Sequence, residues 1–314
     1  MPRTPVDPSI AAVLDQVNAH PAPRVIDTDP EVPREASRRT GAGFALPEPI
    51  EVGSVEDTAV PGPAGRIPVR VYRPAGGGPV PTVVFFHGGG WLTGDLDTHD
   101  EVTRRMCRDV NAVVVAVGYR LAPEHPFPAA YDDCLAAVHH AADHIEDYGG
   151  RRDRLAVAGD SAGGNLAAAV ALTFRDEGRP LAAQLLVYPA TDFVGDHPSG
   201  TENATGYVLR TQDVLDLQHL YAGDDPAVRG SFRVSPLRAE KFTGLAPAVI
   251  GTAQYDPLRD EGNAYAEALR DAGVDVFART YDGLIHTFLN LFPVSPAADA
   301  AVTELYARLG ERLG

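Results

Sequence analysis

Lysine is almost absent from this sequence. Lys241 is the single lysine in 314 residues, and arginine supplies nearly all of the positive charge. Acidic residues outnumber basic residues by 43 to 27, which gives a formal net charge of −16 at pH 7. Binding to nucleic acid or to an anionic membrane surface needs a basic patch. We therefore expect no nucleic-acid partner, and we attribute the arginine bias to genomic base composition or to adaptation to high salt.

Long apolar runs and cysteine pairs are also missing. No stretch approaches the roughly 18 consecutive apolar residues of a membrane-spanning helix, and residues 1–8 carry no apolar core of a signal peptide. We therefore expect a cytoplasmic protein without membrane insertion. The two cysteines, Cys107 and Cys134, lack Cys-x-x-Cys spacing and lie in segments of helical pattern. They are interpreted as small core residues.

Motifs for cofactors are missing too. The sequence has no Gly-x-x-x-x-Gly-Lys-Ser/Thr loop for phosphate binding. His140 and His144 lie four residues apart on a predicted helix, which is the spacing of one zinc-binding pattern, but Ala141 stands where that pattern needs a glutamate. We predict no cofactor and no metal, and we interpret these histidines as part of a solvated helix face.

What the sequence does contain is an alternation of apolar strands and helical patterns. Such an alternation predicts an α/β fold, here an eight-stranded, mostly parallel sheet with helices on both faces. The predicted strands are 50–55, 67–72, 82–86, 113–117, 155–158, 184–187, 248–251 and 276–280. The predicted helices between and after them are 98–110, 129–148, 165–176, 259–272 and 297–313.

Two stretches do not follow this alternation. Residues 1–45 are rich in proline and charge with one helical segment at 8–18, and residues 191–240 form a polar insertion with a helix at 211–221. A long insertion at the carboxyl ends of parallel strands is usually functional, because open α/β sheets place their sites there. We predict a catalytic core of residues 46–190 and 241–314, covered by a helical cap of residues 1–45 and 191–240.

Ser161 has the sequence context of a nucleophile. It lies in Gly159-Asp160-Ser161-Ala162-Gly163, between a predicted strand and a predicted helix. A Gly-x-Ser-x-Gly run at such a junction places the serine on a sharp, exposed turn, and the glycines leave room for it.

A second run can supply hydrogen-bond donors. The predicted strand 82–86 leads into Gly88, Gly89 and Gly90, followed by Trp91. Glycines allow backbone N–H groups to approach a substrate closely, and fixed donors stabilise the negative charge that develops on a carbonyl oxygen in acyl transfer. The three glycines are candidates for an oxyanion hole.

A serine nucleophile needs a base and a carboxylate, which in this kind of fold follow it along the chain. Of the histidines after Ser161, His286 fits best because it follows the last strand, whereas His197 and His219 lie within the insertion. Asp256 comes directly after the preceding strand and is the candidate carboxylate. A helix N-cap is the alternative role for Asp256, and the neighbouring Asp260 is interpreted as a helix-start residue.

Together these runs resemble the hormone-sensitive-lipase family of α/β-hydrolase esterases, in its bacterial branch. The resemblance covers about residues 45–314. It is carried by His87-Gly88-Gly89-Gly90-Trp91, Tyr119-Arg120-Leu121-Ala122-Pro123-Glu124-His125-Pro126-Phe127-Pro128-Ala129-Ala130, Gly159-Asp160-Ser161-Ala162-Gly163-Gly164, Asp256-Pro257-Leu258-Arg259-Asp260 and His286.

The resemblance implies a serine carboxylesterase that hydrolyses small-molecule esters of short to medium acyl chains through an acyl-enzyme. It implies a triad of Ser161, Asp256 and His286. It also implies an oxyanion hole from Gly89, Gly90 and Ala162, with Gly88 not excluded. A lipase or amidase with the same triad is an alternative, and so is a non-catalytic receptor, which in related plant proteins has lost the histidine.

The sequence gives weaker indications of the substrate pocket and of the residues that hold the active site in place. Trp91, next to the glycine run, is a candidate pocket residue. Weaker candidates, for which core packing is the competing interpretation, are Tyr188, Val208, Leu209 and Ile285. Charged residues among rigid prolines need partners when buried. We therefore expect Arg120, Glu124 and His125, together with Asp160, to form a network that braces the nucleophile turn and the glycine loop. A homodimer is an open possibility for the oligomeric state.

Overall fold

A computed structural model describes residues 3–19, 22–179 and 181–314. Over these residues the chain forms an eight-stranded sheet in the order β1-β2-β4-β3-β5-β6-β7-β8. The strands are β1 (Ser54–Gly62), β2 (Gly65–Arg73), β3 (Val80–Phe86), β4 (Val113–Val117), β5 (Gly150–Asp160), β6 (Ala183–Val187), β7 (Ala248–Tyr255) and β8 (Val276–Ile285).

The sheet is parallel from β4 to β8, and antiparallel only at the β1 edge. β1 pairs with β2, and β2 with β4, in antiparallel register, whereas all other neighbours run parallel. Central strands such as β4, whose five residues are all buried, are continuous apolar runs in the sequence because helices cover both faces of the sheet. The expected eight-stranded α/β architecture is confirmed.

The helices divide into two layers around the sheet and a group outside it. On one face α4 (Ala129–Asp143), α5 (Ala162–Asp176) and α9 (Arg259–Asp271) pack into one apolar core, and on the other α3 (Asp100–Val110) and α10 (Pro296–Leu313) pack into a second. Cys134 is buried in the first core and Cys107 in the second, and both thiols are free. The outer helices are α1 (Pro8–Ala19), α2 (Glu31–Phe44), α6 (Pro198–Glu202), α7 (Thr211–Ala222) and α8 (Pro226–Arg229).

Several element boundaries differ from the sequence prediction, and β5 and β7 are longer than expected. The first strand begins at Ser54 rather than at residue 50, because it pairs with β2 through a hairpin that closes at Gly62 and Gly65. α4 ends at Asp143, earlier than expected, and β8 continues to Ile285, so that His286 follows a strand directly rather than a loop. α2 was not predicted, since none of its residues is buried and it lacks an apolar stripe.

The outer helices are tied to each other and to the core by arginines. Arg24 donates from Nε to Asp216 of α7 at 2.9 Å, and the Asp216 side chain is almost fully buried. Arg34 of α2 donates to Glu124, at 2.6 and 2.9 Å, in the proline-rich stretch before α4. Among the described residues, no helix has the length and apolar character to cross a membrane.

Candidate active site

Ser161 occupies a strained turn between β5 and α5. Its backbone has φ 54° and ψ −117°, a conformation that non-glycine residues rarely adopt. The Ser161 N–H donates to the carbonyl of Val187 at 2.9 Å, which anchors the turn to β6. A Cβ atom on Gly163 would collide with the backbone of Phe86, and one on Gly159 would collide with Gly163. The two glycines of the motif are therefore required by close backbone approach.

Ser161, His286 and Asp256 form one hydrogen-bonded line. The Nε2 atom of His286 lies 2.9 Å from the Ser161 hydroxyl, and its Nδ1 atom lies 2.7 Å from Oδ2 of Asp256. Asp256 is fully buried, and its Oδ1 accepts the N–H of Leu258 at 2.8 Å. The three residues follow the carboxyl ends of the parallel strands β5, β7 and β8, which brings distant parts of the chain to one edge of the sheet.

The other candidates for base and carboxylate are bonded elsewhere. His197 faces Asp192 at 3.0 Å and His219 faces Asp224 at 2.9 Å. Asp260 accepts the N–H of Ser199 at 2.8 Å and is ion-paired with Arg259. Asp256 is not the N-cap of α9, because that position is Leu258 and carries no side-chain cap. Its side chain accepts the N–H of Leu258 in the turn before the helix and contacts His286.

The three glycines after β3 do not share one role. The N–H of Gly88 donates to Oδ1 of Asp160 at 2.8 Å, so this group is not free to meet an oxyanion. Gly89 and Gly90 have φ values of 119° and 62°, and Ala162 is the first residue of α5. Among the described residues, the N–H groups of Gly89, Gly90 and Ala162 have no acceptor. These three N–H groups are available to a ligand, and Gly88 leaves the set of candidate donors.

A cavity of about 480 Å³ opens over Ser161. It is lined by the glycine loop and His286, together with Val25, Val32 and Leu217 from the outer segments. No lysine or arginine side chain is among the described residues that line it. Leu217 fills the space beside Gly90, because a Cβ atom on that glycine would contact its side chain at 2.5 Å.

A second cavity of about 500 Å³ adjoins the first. It lies between α1, α2 and the segment after β8, with Val13, Phe44 and Leu291 in its wall. The residues that border both cavities are Ser37, Thr40, His99, Val208, Thr287 and Asn290.

The predicted pocket residues are distributed over several environments. Trp91, Val208 and Leu209 line the catalytic cavity, and Ile285 lines only the second one. Tyr188 lines neither. Its φ of 38° directs the ring under His286, with ring centroids 4.5 Å apart, and its hydroxyl donates to Asp160 at 3.3 Å. The interpretation of Tyr188 as a substrate contact is therefore wrong, because its side chain belongs to the support of the site.

The expected bracing network is two separate ion pairs. Arg120 pairs with Asp133 of α4 at 2.8 Å, whereas Glu124 pairs with Arg34 of α2 at 2.6 Å. His125 is exposed, and Asp160 contacts neither pair. Arg34 reaches the glycine loop itself, since its Nε donates to the carbonyl of Leu92 at 3.0 Å.

Two contributors to the site were missed by sequence reasoning. Val32 and Thr40 belong to α2, which has no apolar stripe to reveal it. His99 comes just before α3 and its Nε2 atom lies 3.3 Å from Asp160, but the only sequence signal was an isolated histidine before a helix. Among the described residues, no group of three or more histidine, cysteine, aspartate or glutamate side chains is placed to hold a metal ion.

Comparison with known proteins agrees with this geometry. A family model described as the alpha/beta hydrolase fold matches residues 83–290. The chain belongs to this family. It is a carboxylesterase of the hormone-sensitive-lipase type, as its relatives indicate. It is 47% identical to the carboxylic ester hydrolase LipN of Mycobacterium tuberculosis over 86% of this chain and 73% of that protein.

Two further relatives belong to the same class of enzyme. The carboxylesterase NlhH of Mycobacterium tuberculosis is 45% identical over 79% of each chain. The solved structure of a hyperthermophilic esterase from Pyrobaculum calidifontis superposes with a TM-score of 0.93 at 39% identity, covering 98% of both chains. The likeness to the solved structure therefore extends over almost the whole chain, and the likeness to the two mycobacterial enzymes over about four fifths of it or more.

Proposed function

We propose that this esterase hydrolyses small, uncharged esters of short to medium acyl chains, with Ser161 as the nucleophile. The observation that carries the proposal is the line from Ser161 through His286 to the buried Asp256. A hydroxyl within hydrogen-bond distance of an imidazole, which is itself held by a carboxylate, is the arrangement that activates a serine for acyl transfer.

In the first step His286 takes the Ser161 proton at Nε2 while Oγ attacks the ester carbonyl carbon. The resulting oxyanion is stabilised by the N–H groups of Gly89, Gly90 and Ala162. His286 then gives its proton to the leaving alcohol, and the acyl group remains on Ser161. Water, activated by His286 in the same way, releases the acid and restores the serine. Asp256 holds the imidazole and stabilises it while it carries the extra proton.

The size and chemistry of the cavity support the substrate class. A volume of about 480 Å³ lies in the ordinary range for small-molecule sites. The lining is largely apolar, so it favours an acyl chain, and the described lining offers no lysine or arginine to bind a carboxylate or phosphate. Residues 1–45 and 191–240 act in this proposal as a cap over the core of residues 46–190 and 241–314, since Val25, Val32 and Leu217 wall the cavity.

The first test is the hydrolysis of p-nitrophenyl esters from acetate to palmitate by the wild type and by Ser161→Ala. We expect an optimum at short or medium chains and a loss of about 10⁴-fold or more in the variant. Ser54→Ala, at an exposed position of β1, is the matched control and retains wild-type rates. Undiminished turnover by Ser161→Ala would overturn the proposed nucleophile.

The alternatives make different predictions in the same assay. A lipase has its optimum at the long-chain end of the series, and an amidase hydrolyses matched anilides at rates comparable to the esters. A receptor gives no initial burst of p-nitrophenol, whereas the proposed acyl-enzyme gives one when deacylation is slow. Cytoplasmic location and a homodimer remain predictions, and light scattering on the purified protein measures the second.

A further inference from the structure

The carboxylate of Asp160 is a buried charge beside the nucleophile. Its exposure is 3%, and it is the residue directly before Ser161. Oδ1 accepts the N–H of Gly88 at 2.8 Å and Oδ2 accepts the Tyr188 hydroxyl at 3.3 Å. The first of these donors belongs to the glycine loop, and the second packs against His286, so Asp160 joins three parts of the active site.

The position of this negative charge opposes the reaction. Burial raises the pKa of the Asp160 carboxyl, but His99, the Gly88 N–H and His87 together lower it below its usual range. Asp160 is therefore ionised. A negative charge next to the glycine loop repels the negative charge that develops on the substrate oxygen, and the repulsion is strong where water is excluded.

His99 is the compensating group. Its Nε2 atom lies 3.3 Å from Oδ1 of Asp160, with an alignment that falls short of a hydrogen bond. The ring is 6% exposed, and Nδ1 is held by the Thr98 hydroxyl at 3.0 Å. Within the described part of the chain, no arginine or lysine forms an ion pair with Asp160. His99 is therefore the basic side chain within ion-pair distance of Asp160 in the described part of the chain, and His87 has a smaller effect on the same carboxylate.

The shape of the loop depends on the same carboxylate. A Cβ atom on Gly88 would collide with Oδ2 of Asp160, so the side chain occupies the space that glycine leaves. If Asp160 moved, Gly88 would lose its acceptor, and the adjoining Gly89 and Gly90 would lose their fixed orientation. Preorganised donors are effective only while their geometry is held.

We propose that His99 is a positioning residue for ester hydrolysis, which holds Asp160 in place and offsets its charge so that the glycine loop can stabilise the oxyanion. The inference rests on the proposed function of Gly89 and Gly90. An ester carries no charge in the ground state, whereas the tetrahedral intermediate does. Loss of His99 therefore lowers kcat and leaves KM nearly unchanged.

The experiment is a double-mutant cycle with p-nitrophenyl butyrate as substrate. Asp160→Asn removes the charge and keeps an acceptor for the Gly88 N–H. In the wild-type background we expect His99→Leu to lower kcat by about 10- to 100-fold, less than the loss of a direct oxyanion donor. In the Asp160→Asn background the same change should lower kcat by less than about 3-fold, since the effects of two residues that act through one another are not additive.

A conservative variant and a transition-state mimic separate this role from packing. His99→Gln retains a side-chain donor and should recover part of the kcat that His99→Leu loses. Affinity for an alkylboronic acid, which forms a tetrahedral anion on the serine, should fall in parallel with kcat/KM. His125→Leu, an exposed histidine outside the cluster, is the matched control.

The outcomes are distinguishable from failure of the proposed function. Turnover that survives Ser161→Ala would remove the proposed function itself. If Ser161→Ala is inactive but His99→Leu lowers kcat equally in both backgrounds, or changes KM alone, only the role of His99 is overturned. If His99→Leu does not fold, the cycle is run with His99→Gln, and equal effects in both backgrounds again overturn the inference.

Discussion

Arg34 of α2 donates from Nε to the backbone carbonyl of Leu92, 3.0 Å away and two residues beyond Gly90. The same guanidinium donates to the carbonyl of Ala122 at 3.1 Å and binds Glu124. Its side chain is only 11% exposed although it belongs to an outer helix. An outer helix thus holds the end of the glycine loop directly.

Replacement of Arg34 by methionine should therefore affect both stability and catalysis. The two carbonyls and the Glu124 carboxylate would lose their donors, and we expect a loss of about 1–3 kcal/mol in the free energy of unfolding. The freed loop should lower kcat more than it raises KM. Urea denaturation and steady-state kinetics measure the two effects. Arg39→Met is the control, because the Arg39 side chain is 71% exposed on the same helix. Equal effects of both variants would contradict a specific role of Arg34 in holding the glycine loop.

The Arg34–Glu124 pair should make stability depend on pH in the acid range. The hydrogen bond with Arg34 lowers the pKa of Glu124 to about 2, from a usual value of 4.5. A carboxylate with a lowered pKa stabilises the folded state above about pH 4.5, and this contribution disappears as the pH falls towards 2. Glu124 is about half exposed, so the effect is screened and small.

The measurement for this pair is the difference in thermal midpoint between the wild type and Glu124→Gln. We expect the wild type to be more stable at pH 6 and the difference to shrink steadily below pH 4.5. A difference that stays constant from pH 6 to pH 3 would show that the pair does not titrate in this way.

His87 should contribute a second pH dependence at higher pH. The ring is 3% exposed and stacks on Tyr119 with centroids 4.2 Å apart. Burial, followed by the charge of His99, lowers the pKa of His87 to about 4. The folded protein then binds fewer protons than the unfolded chain between about pH 6.5 and 4, so stability falls as the pH is lowered through this range.

Urea denaturation at pH 7, 5.5 and 4 tests the role of His87. The shift in pKa corresponds to about 3 kcal/mol of stability lost once the pH is well below 4. His87→Gln, whose side chain does not titrate, should show a shallower decline than the wild type, whereas His144→Gln, an exposed control, should match it. The same slope in all three proteins would exclude a titrating His87.

Leu217 should set the acyl chain length, because it lines the cavity beside Gly90. A tryptophan at this position would occupy space now open to the substrate. We expect Leu217→Trp to move the optimum of the p-nitrophenyl ester series towards acetate and to lower kcat/KM for the longer esters by about 10-fold or more. Leu215→Trp places the same side chain at a 48% exposed position of α7 and should leave the optimum unchanged. A parallel shift in both variants would indicate a general disturbance of the helix.

Strands and triad candidates were readable from the sequence for a common physical reason. Strands buried along their length, such as β4 and β7, are largely apolar, so their positions are visible in the sequence. Their ends are less visible, since β7 and β8 extend four and five residues beyond the predicted ends. Ser161, Asp256 and His286 each come directly after a strand in the structure. The edge strand β1 is largely exposed, so only its first two residues fall within the predicted strand, and the helix α2 buries no residue and was not predicted.

The direction in which a side chain points could not be predicted from the sequence in the same way. Tyr188 and Val208 both have positive φ values, at 38° and 69°, and this backbone geometry decides whether a side chain points into the core or into the cavity. The hydrogen bond from the Gly88 N–H to the Asp160 carboxylate joins two segments that are distant in the sequence. Such contacts depend on how the strands are ordered in the sheet, and no local pattern encodes them.

The placement of the two cysteines has a practical consequence. One free thiol lies in each apolar layer, and the chain contains no other cysteine. Burial raises the pKa of Cys107 to about 12 and raises that of Cys134 well above its usual value, so neither reacts while its layer is closed. The reactivity of each thiol therefore reports when the helix layer on its side of the sheet separates from the sheet. The order in which a thiol reagent modifies them would reveal which layer separates from the sheet first.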